Sequence, residues 1–180
     1  MNIEKLQTSE RHESIRGYFA HYLHDHMVEN PDIYVVTGGL GYGMFDKIKR
    51  DFPERFIDVG AAEMVMMGTG VGLAIEGKIP FCYSITPFLL FRAAETIRNY
   101  VNREKIPVKL IGSGFELDYA HDGFSHHNFE DKLLFECGDL HQTPLFPNIK
   151  AYWPQEKEEM ASLVEEIINN EKPSYVNLRR

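Results

Sequence analysis

Cysteine is scarce in this chain: Cys82 and Cys137 are the only two, far apart and in no metal-like spacing. Each falls in an apolar run, where a free thiol behaves as a small hydrophobe. A disulfide framework and a cysteine-based metal site are therefore not expected. Positive charge is in deficit as well. With 19 Lys and Arg against 27 Asp and Glu, the formal net charge is -8, which argues against a nucleic-acid backbone or an anionic membrane as partner. No uncharged run approaches the length of a bilayer-spanning helix, and the amino-terminal MNIEKLQTSERHESIRG lacks the apolar core of a signal peptide. A reducing cytoplasm is the expected setting. Internal repeats and low-complexity segments are missing too. What remains is 180 residues with 43% hydrophobic content, enough for one domain with packed layers.

That content alternates between strand and helix patterns. Ser9 is a candidate N-cap for a helix running to about Met27, within an amino-terminal helical segment that ends near residue 30. β-branched or apolar runs predict strands at Ile33–Thr37, Arg55–Val59, Ile79–Ser84, Val108–Gly112, Ile149–Trp153 and Ser174–Leu178. Helical patterns fall between them, from Ala61 onward, at Phe88–Val101, at Glu130–Phe135 and at Gln155–Asn169. Strands apolar on both faces and separated by helices predict a three-layer α/β/α domain with a mostly parallel sheet. His12, His21, His24 and His26 invite a metal reading, but no Cys or carboxylate pattern completes a site, so no metal ligand is assigned.

Three stretches stand out as functional candidates. Gly38-Gly39-Leu40-Gly41-Tyr42-Gly43 follows a strand, and Asp58 closes the next one, as in a dinucleotide fingerprint. Met44 stands where the fingerprint needs a third small residue, so NAD binding is a runner-up to a plain turn. Glu63 lies in the first turn of a helix at the carboxyl end of a strand, flanked only by Ala and Met, with no basic partner nearby in sequence. Such carboxylates commonly stabilise helix N-termini, yet the same edge of an α/β sheet is where ligands bind. Ser113–Asn128 is a long irregular stretch with Phe115, Tyr119 and Phe124 beside Asp122, His126 and His127, a mixture suited to lining a cleft.

Taken together, ERFIDVGAAEMVMMGTGVGLAIEGKIPF, then SITPFLLFRAAETIRN, then HDGFSHHNFED resemble in order and spacing the pyrimidine-binding domain of transketolases and of the related deoxyxylulose-phosphate synthases. The resemblance covers the chain from about Tyr34 to Arg180. It implies that Glu63 hydrogen-bonds N1′ of the aminopyrimidine of thiamine diphosphate and promotes proton exchange there. A carboxyl in apolar surroundings holds its proton more readily, which suits the Ala and Met neighbours. By the same resemblance Phe88 stacks on the pyrimidine, with Phe91 and Ile85 as further walls. Ordinary helix packing at i and i+3 is the competing account of Phe88 and Phe91. Asp122 and His126, with His127, would face the substrate, and Arg180 matches an arginine that grips its phosphate.

Departures from the family's pattern shape the expectation. His121 replaces a glutamate, Gly114 a histidine, and Gly39 a common aspartate. The G-D-G motif and downstream Asn that hold Mg2+ and the diphosphate are missing, which implies a separate diphosphate-binding subunit. Gly68, Gly70 and Gly72, with Val65, Met66 and Met67 around them, suit a subunit contact, and a heterotetramer follows by analogy. The implied function is one component of a split transketolase moving a two-carbon ketol unit between sugars or sugar phosphates. A split 2-oxo acid decarboxylase subunit and a non-catalytic assembly or regulatory partner remain as alternatives.

Overall fold

A computed structural model describes residues 13–136 and 143–180; Ser9, His12 and Cys137 lie outside them. Helix α1 (Ile15–Glu29) starts at Ser14, whose side chain accepts a hydrogen bond from the Gly17 amide at 3.1 Å and so satisfies one of the free donors of the first turn. Its Phe19, Leu23 and Met27 recur every four residues and are fully buried. The chain continues through β1 (Ile33–Thr37), a glycine loop, the short α2 (Asp46–Asp51), β2 (Phe56–Asp58), α3 (Glu63–Ile75) and β3 (Ile79–Ile85). Next come three helical pieces, Phe88–Arg92, Ala94–Thr96 and Ile97–Arg103, here called α4, and then β4 (Lys109–Ser113). Short turns lead to α5 (Asp131–Phe135), β5 (Lys150–Tyr152), α6 (Met160–Asn169) and β6 (Ser174–Leu178).

The six strands form one parallel sheet in the order β2-β1-β3-β4-β6-β5. Side chains alternate across it. Val35, Phe81, Tyr83, Ile111 and Val176 join Phe19, Leu23, Met160, Val164 and Ile167 on one face. Val36, Cys82, Leu110 and Tyr175 meet Met66, Met67, Leu89, Ile97 and Val101 on the other. The three-layer expectation holds because both faces are apolar and each is covered by helices. Burial pushes the Cys82 thiol up to about 12, so it packs as a hydrophobe rather than reacting.

Differences from the expected pattern have physical causes. The strand predicted at Arg55–Val59 is shorter and only half-buried, because β2 pairs with β1 alone and forms a sheet edge. The single helix predicted at Phe88–Val101 is wound in wide, π-type turns on either side of Ala94–Thr96, a distortion often found at functional sites. Met66 and Met67 are fully buried and belong to the core, not to an adaptable interface. A Cβ at Gly70 would collide with Cys82, whereas Gly68 and Gly72 face open space. The outward face of α3 is therefore Met64, Val65, Gly68, Gly72 and Ile75, with Met64, Val65 and Ile75 exposed.

Parallel strands place every carboxyl end on one edge of the sheet. The chain leaves β1 toward β2 and β3 toward β4, on opposite sides, which opens a crevice between Thr37 and Ile85 where ligands of such sheets bind.

Candidate active site

Glu63 enters that crevice as the first residue of α3 and is 2% exposed. Its Oε1 accepts a hydrogen bond from Ser84 Oγ at 3.1 Å, and its Oε2 lies 2.9 Å from Arg92 Nη1. The expectation of purely apolar surroundings is thus corrected: the basic partner missing from the neighbouring sequence arrives from α4, 29 positions downstream. Arg92 also lies over the face of Phe88, with its guanidinium carbon 3.8 Å from the ring centroid. The edge of Phe88 meets the His126 ring at 4.8 Å. One continuous row, Glu63–Arg92–Phe88–His126, therefore joins three of the residues singled out from sequence. Leu89 and Leu90 are the buried members of this turn, while Phe88 is half-buried and Phe91 exposed, so neither aromatic serves as helix core.

Strand alternation puts Ser84 on the Glu63 side and Tyr83 and Ile85 on the other. There a cleft of about 340 Å³ is lined by Arg16, Tyr42, Tyr83, Ile85, Tyr119 and Asp122, among others. Ile85 thus belongs to this cleft rather than to the face of Phe88. Arg16 Nη1 donates to Tyr119 Oη at 2.9 Å and to Ser113 Oγ at 3.3 Å, while its Nε is buried with no hydrogen-bond partner. Nothing in the amino-terminal sequence marks Arg16, because its partners lie about a hundred positions away; Tyr83 and Arg92 carry no local signal either, whereas Tyr119 belongs to the stretch expected to line a cleft.

The irregular stretch is anchored at both ends. Glu116 and Asn128 form a bridge, and the Gly114 carbonyl accepts from Thr86 Oγ1 at 3.1 Å, from Asn177 Nδ2 at 3.2 Å and from Asn128 Nδ2 at 3.3 Å. Gly114 has φ +94°, and a Cβ there would strike the Tyr119 ring. Tyr119 fills the space that a side chain at 114 would take, which accounts for glycine at this position. Between the anchors, Asp122 Oδ2 lies 3.2 Å from His121 Nε2, which is 3.4 Å from Arg180 Nη1. Arg180 is further held by its own amide, which donates to Asp118 Oδ2 at 2.9 Å. Arg180 therefore reaches the neighbourhood of Asp122. His127 is placed differently: its ring contacts are Phe124 and Phe129, and its Nε2 is buried without a partner.

Beneath the loop sits a second buried carboxylate. Asp131 Oδ2 accepts from Trp153 Nε1, Tyr175 Oη and Asn177 Nδ2, each at 2.8 Å. Burial first, and the Asp131 charge second, hold the Tyr175 hydroxyl well above the usual phenol range, so it stays a donor. This network ties α5 to β6 and supports the loop from below.

The loop after β1 does not behave as a nucleotide cradle. Asp58 Oδ1, the acidic end of the fingerprint-like pattern, instead accepts the amides of Gly39 and Gly60 at 2.9 Å and joins two turns. Among the described residues, no cluster of His, Cys, Asp and Glu is arranged to hold a metal ion, and no helix is long and apolar enough to cross a membrane. His24, part of the amino-terminal histidine group, is buried and bonded to Asp51 at 2.9 Å.

Comparison with known proteins agrees with this architecture. A family profile described as the transketolase pyrimidine-binding domain matches residues 13–180. A Methanocaldococcus jannaschii protein described as a transketolase C-terminal section is 32% identical over 145 residues, covering 81% of this chain and 42% of the relative. One of the subunits of the apulose-4-phosphate transketolase of Actinobacillus succinogenes is 30% identical over 129 residues, 72% of this chain and 39% of the relative. The chain thus spans well under half the length of these curated relatives. A solved structure titled as a split gene transketolase, inactive beta4 tetramer, superposes with a TM-score of 0.77 at 29% identity, over 93% of this chain and 51% of that one. The chain belongs to the transketolase pyrimidine-binding domain family.

Proposed function

We propose that this chain is the pyrimidine-binding component of a two-component transketolase that transfers a two-carbon ketol unit between sugars or sugar phosphates. The observation that carries this reading is the buried Glu63 carboxyl joined through Arg92 to the face of Phe88, at the carboxyl edge of the sheet. The residues fit an aminopyrimidine: a carboxyl to hold a proton at a ring nitrogen, and an aromatic face already carrying a planar cation at stacking distance. Thiamine diphosphate, when bound, supplies the nucleophilic carbon and electron sink that ketol transfer requires.

The chain's own contribution is to bind, orient and move protons. Glu63 exchanges a proton at the ring nitrogen corresponding to N1′, and Ser84 fixes its rotamer through Oε1. Phe88 positions the ring by stacking, with Phe91 as the exposed wall that a docked subunit would cover. Asp122, in the lining of the cleft, and His126, against the Phe88 ring, are assigned to substrate hydroxyls, which they would orient. Arg16 and Ile85 shape the cleft. Arg16, with a free buried donor, and Arg180 are the guanidinium groups suited to an anionic end of the substrate. His127, held between two phenylalanines, acts on the substrate only if the loop is repacked by a partner.

The diphosphate and Mg2+ fall to a diphosphate-binding partner subunit. Relatives described as a transketolase C-terminal section and as one subunit of a transketolase support this division of labour. Self-association through the exposed face of α3 would give a heterotetramer, and the unpaired buried thiol of Cys82 is in keeping with a reducing cytoplasm. The transketolase-type relatives favour ketol transfer over 2-oxo acid decarboxylation, and the intact Glu63 site favours catalysis over a purely regulatory role. The test is reconstitution with the diphosphate-binding subunit, thiamine diphosphate and Mg2+, assayed for ketol transfer from a ketose phosphate. Wild type should turn over, and Glu63→Gln should fall sharply; equal turnover would overturn the reading.

A further inference from the structure

Arg92 makes two contacts at once, and together they define a seat. Its guanidinium lies on the face of Phe88, 3.8 Å from the centroid, and its Nη1 donates to the buried Glu63 Oε2 at 2.9 Å. A flat, donor-bearing group stacked on Phe88 and bonded to Glu63 is also the description of an aminopyrimidine in this site. A guanidinium is planar and stacks well on aromatics, so the mimicry is chemical as well as positional. The two groups cannot stack on one face of Phe88 and reach the same carboxylate together. The other neighbours of this pair are already committed: Ser84 holds Oε1, and His126 lies against the Phe88 edge.

We propose that Arg92 is a placeholder for the pyrimidine ring: in the chain without its partner, the guanidinium occupies the ring's seat between Glu63 and Phe88 and must swing out before the seat can be filled. The inference rests on the roles given above to Glu63 and Phe88. The arrangement solves a physical problem of a divided site. A carboxylate 2% exposed would be costly to leave uncompensated, and an open aromatic face would invite unrelated planar ligands. Arg92 answers both needs while remaining retrievable. Its side chain is 48% exposed, and it stands one helical turn beyond Phe88, where i and i+4 side chains meet, so its swing needs no backbone change. Ring binding then exchanges one stacked, hydrogen-bonded partner for another, and the free chain binds the ring weakly because its seat is taken.

The experiment titrates thiamine into the isolated full chain by calorimetry, comparing wild type with Arg92→Ala and Arg92→Met. Removing the placeholder should tighten thiamine binding by about tenfold or more, the factor by which an occupied seat lowers apparent affinity. If the uncompensated Glu63 weakens folding of these variants, the second readout applies. Low-millimolar guanidinium should refill the seat in Arg92→Ala and raise its thermal midpoint, with no such rise in wild type, and should compete with thiamine. Two results would overturn the proposal and are separable. Equal thiamine affinity in wild type and Arg92→Ala, while Glu63→Gln still abolishes thiamine diphosphate binding by the reconstituted pair, removes the placeholder and leaves the site assignment standing. Binding by the pair that is indifferent to Glu63→Gln removes both.

Discussion

Glu63 and Asp131 are both carboxylates buried to 2% exposure, yet they are satisfied in opposite ways. Asp131 is enclosed by Trp153, Tyr175 and Asn177, neutral donors fixed in the sheet or packed against it. Glu63 has a single hydroxyl from the sheet and a charged partner on a half-exposed side chain. Burial alone therefore does not tell the two carboxylates apart. What separates them is whether the partners can leave. Rigid donors make a fixed joint, and a long flexible cation makes an exchangeable one.

The comparison breaks most visibly at Asp131. Asp131→Leu removes the acceptor shared by Trp153, Tyr175 and Asn177, and unfolding in urea should show a loss of about 3 kcal/mol. Asp131→Asn keeps one acceptor oxygen and should lose less. A small loss from Asp131→Leu would mean that the joint is not fixed after all. Glu63→Gln should do the reverse, lowering turnover of the reconstituted enzyme by about a hundredfold or more while changing stability by less than about 1 kcal/mol, since the partner charge is half solvated. Next in size is Arg16→Met, which should raise KM for an anionic substrate about tenfold, as expected for losing a charged hydrogen-bond donor, and leave kcat less affected. The smallest effect belongs to Phe91→Ala. An exposed ring contributes within about 0.5 kcal/mol to stability, so unfolding should be nearly unchanged, while cofactor affinity of the pair weakens.

The fold was largely readable because β-branched runs such as IYVVT and apolar helix faces carry their period in the sequence itself. Each of the six strands lies where those runs predicted it, with differences at the ends. Glu63, Phe88, Asp122 and His126 could be named from ordered blocks, and the structure brings them to one edge. Their partners could not. Arg92 meets Glu63 across 29 positions and Arg16 meets Ser113 across 97, and no local pattern encodes a contact made only when two elements become neighbours in the fold. The π-type turns of α4 were equally hidden, because Phe-Leu-Leu-Phe is apolar at every position and shows no period to distinguish one helical winding from another.

The bridge between Glu116 and Asn128, with the Gly114 carbonyl gathered by three side chains, bears on how a fold like this diversifies. The residues from Leu117 to His127 run between two posts, Glu116 and Asn128, that are fastened beside the sheet through the Gly114 carbonyl. Such a segment behaves as an interchangeable cassette. Its inner residues can be rewritten while the posts, and the Glu63–Arg92–Phe88 row beside them, stay as they are.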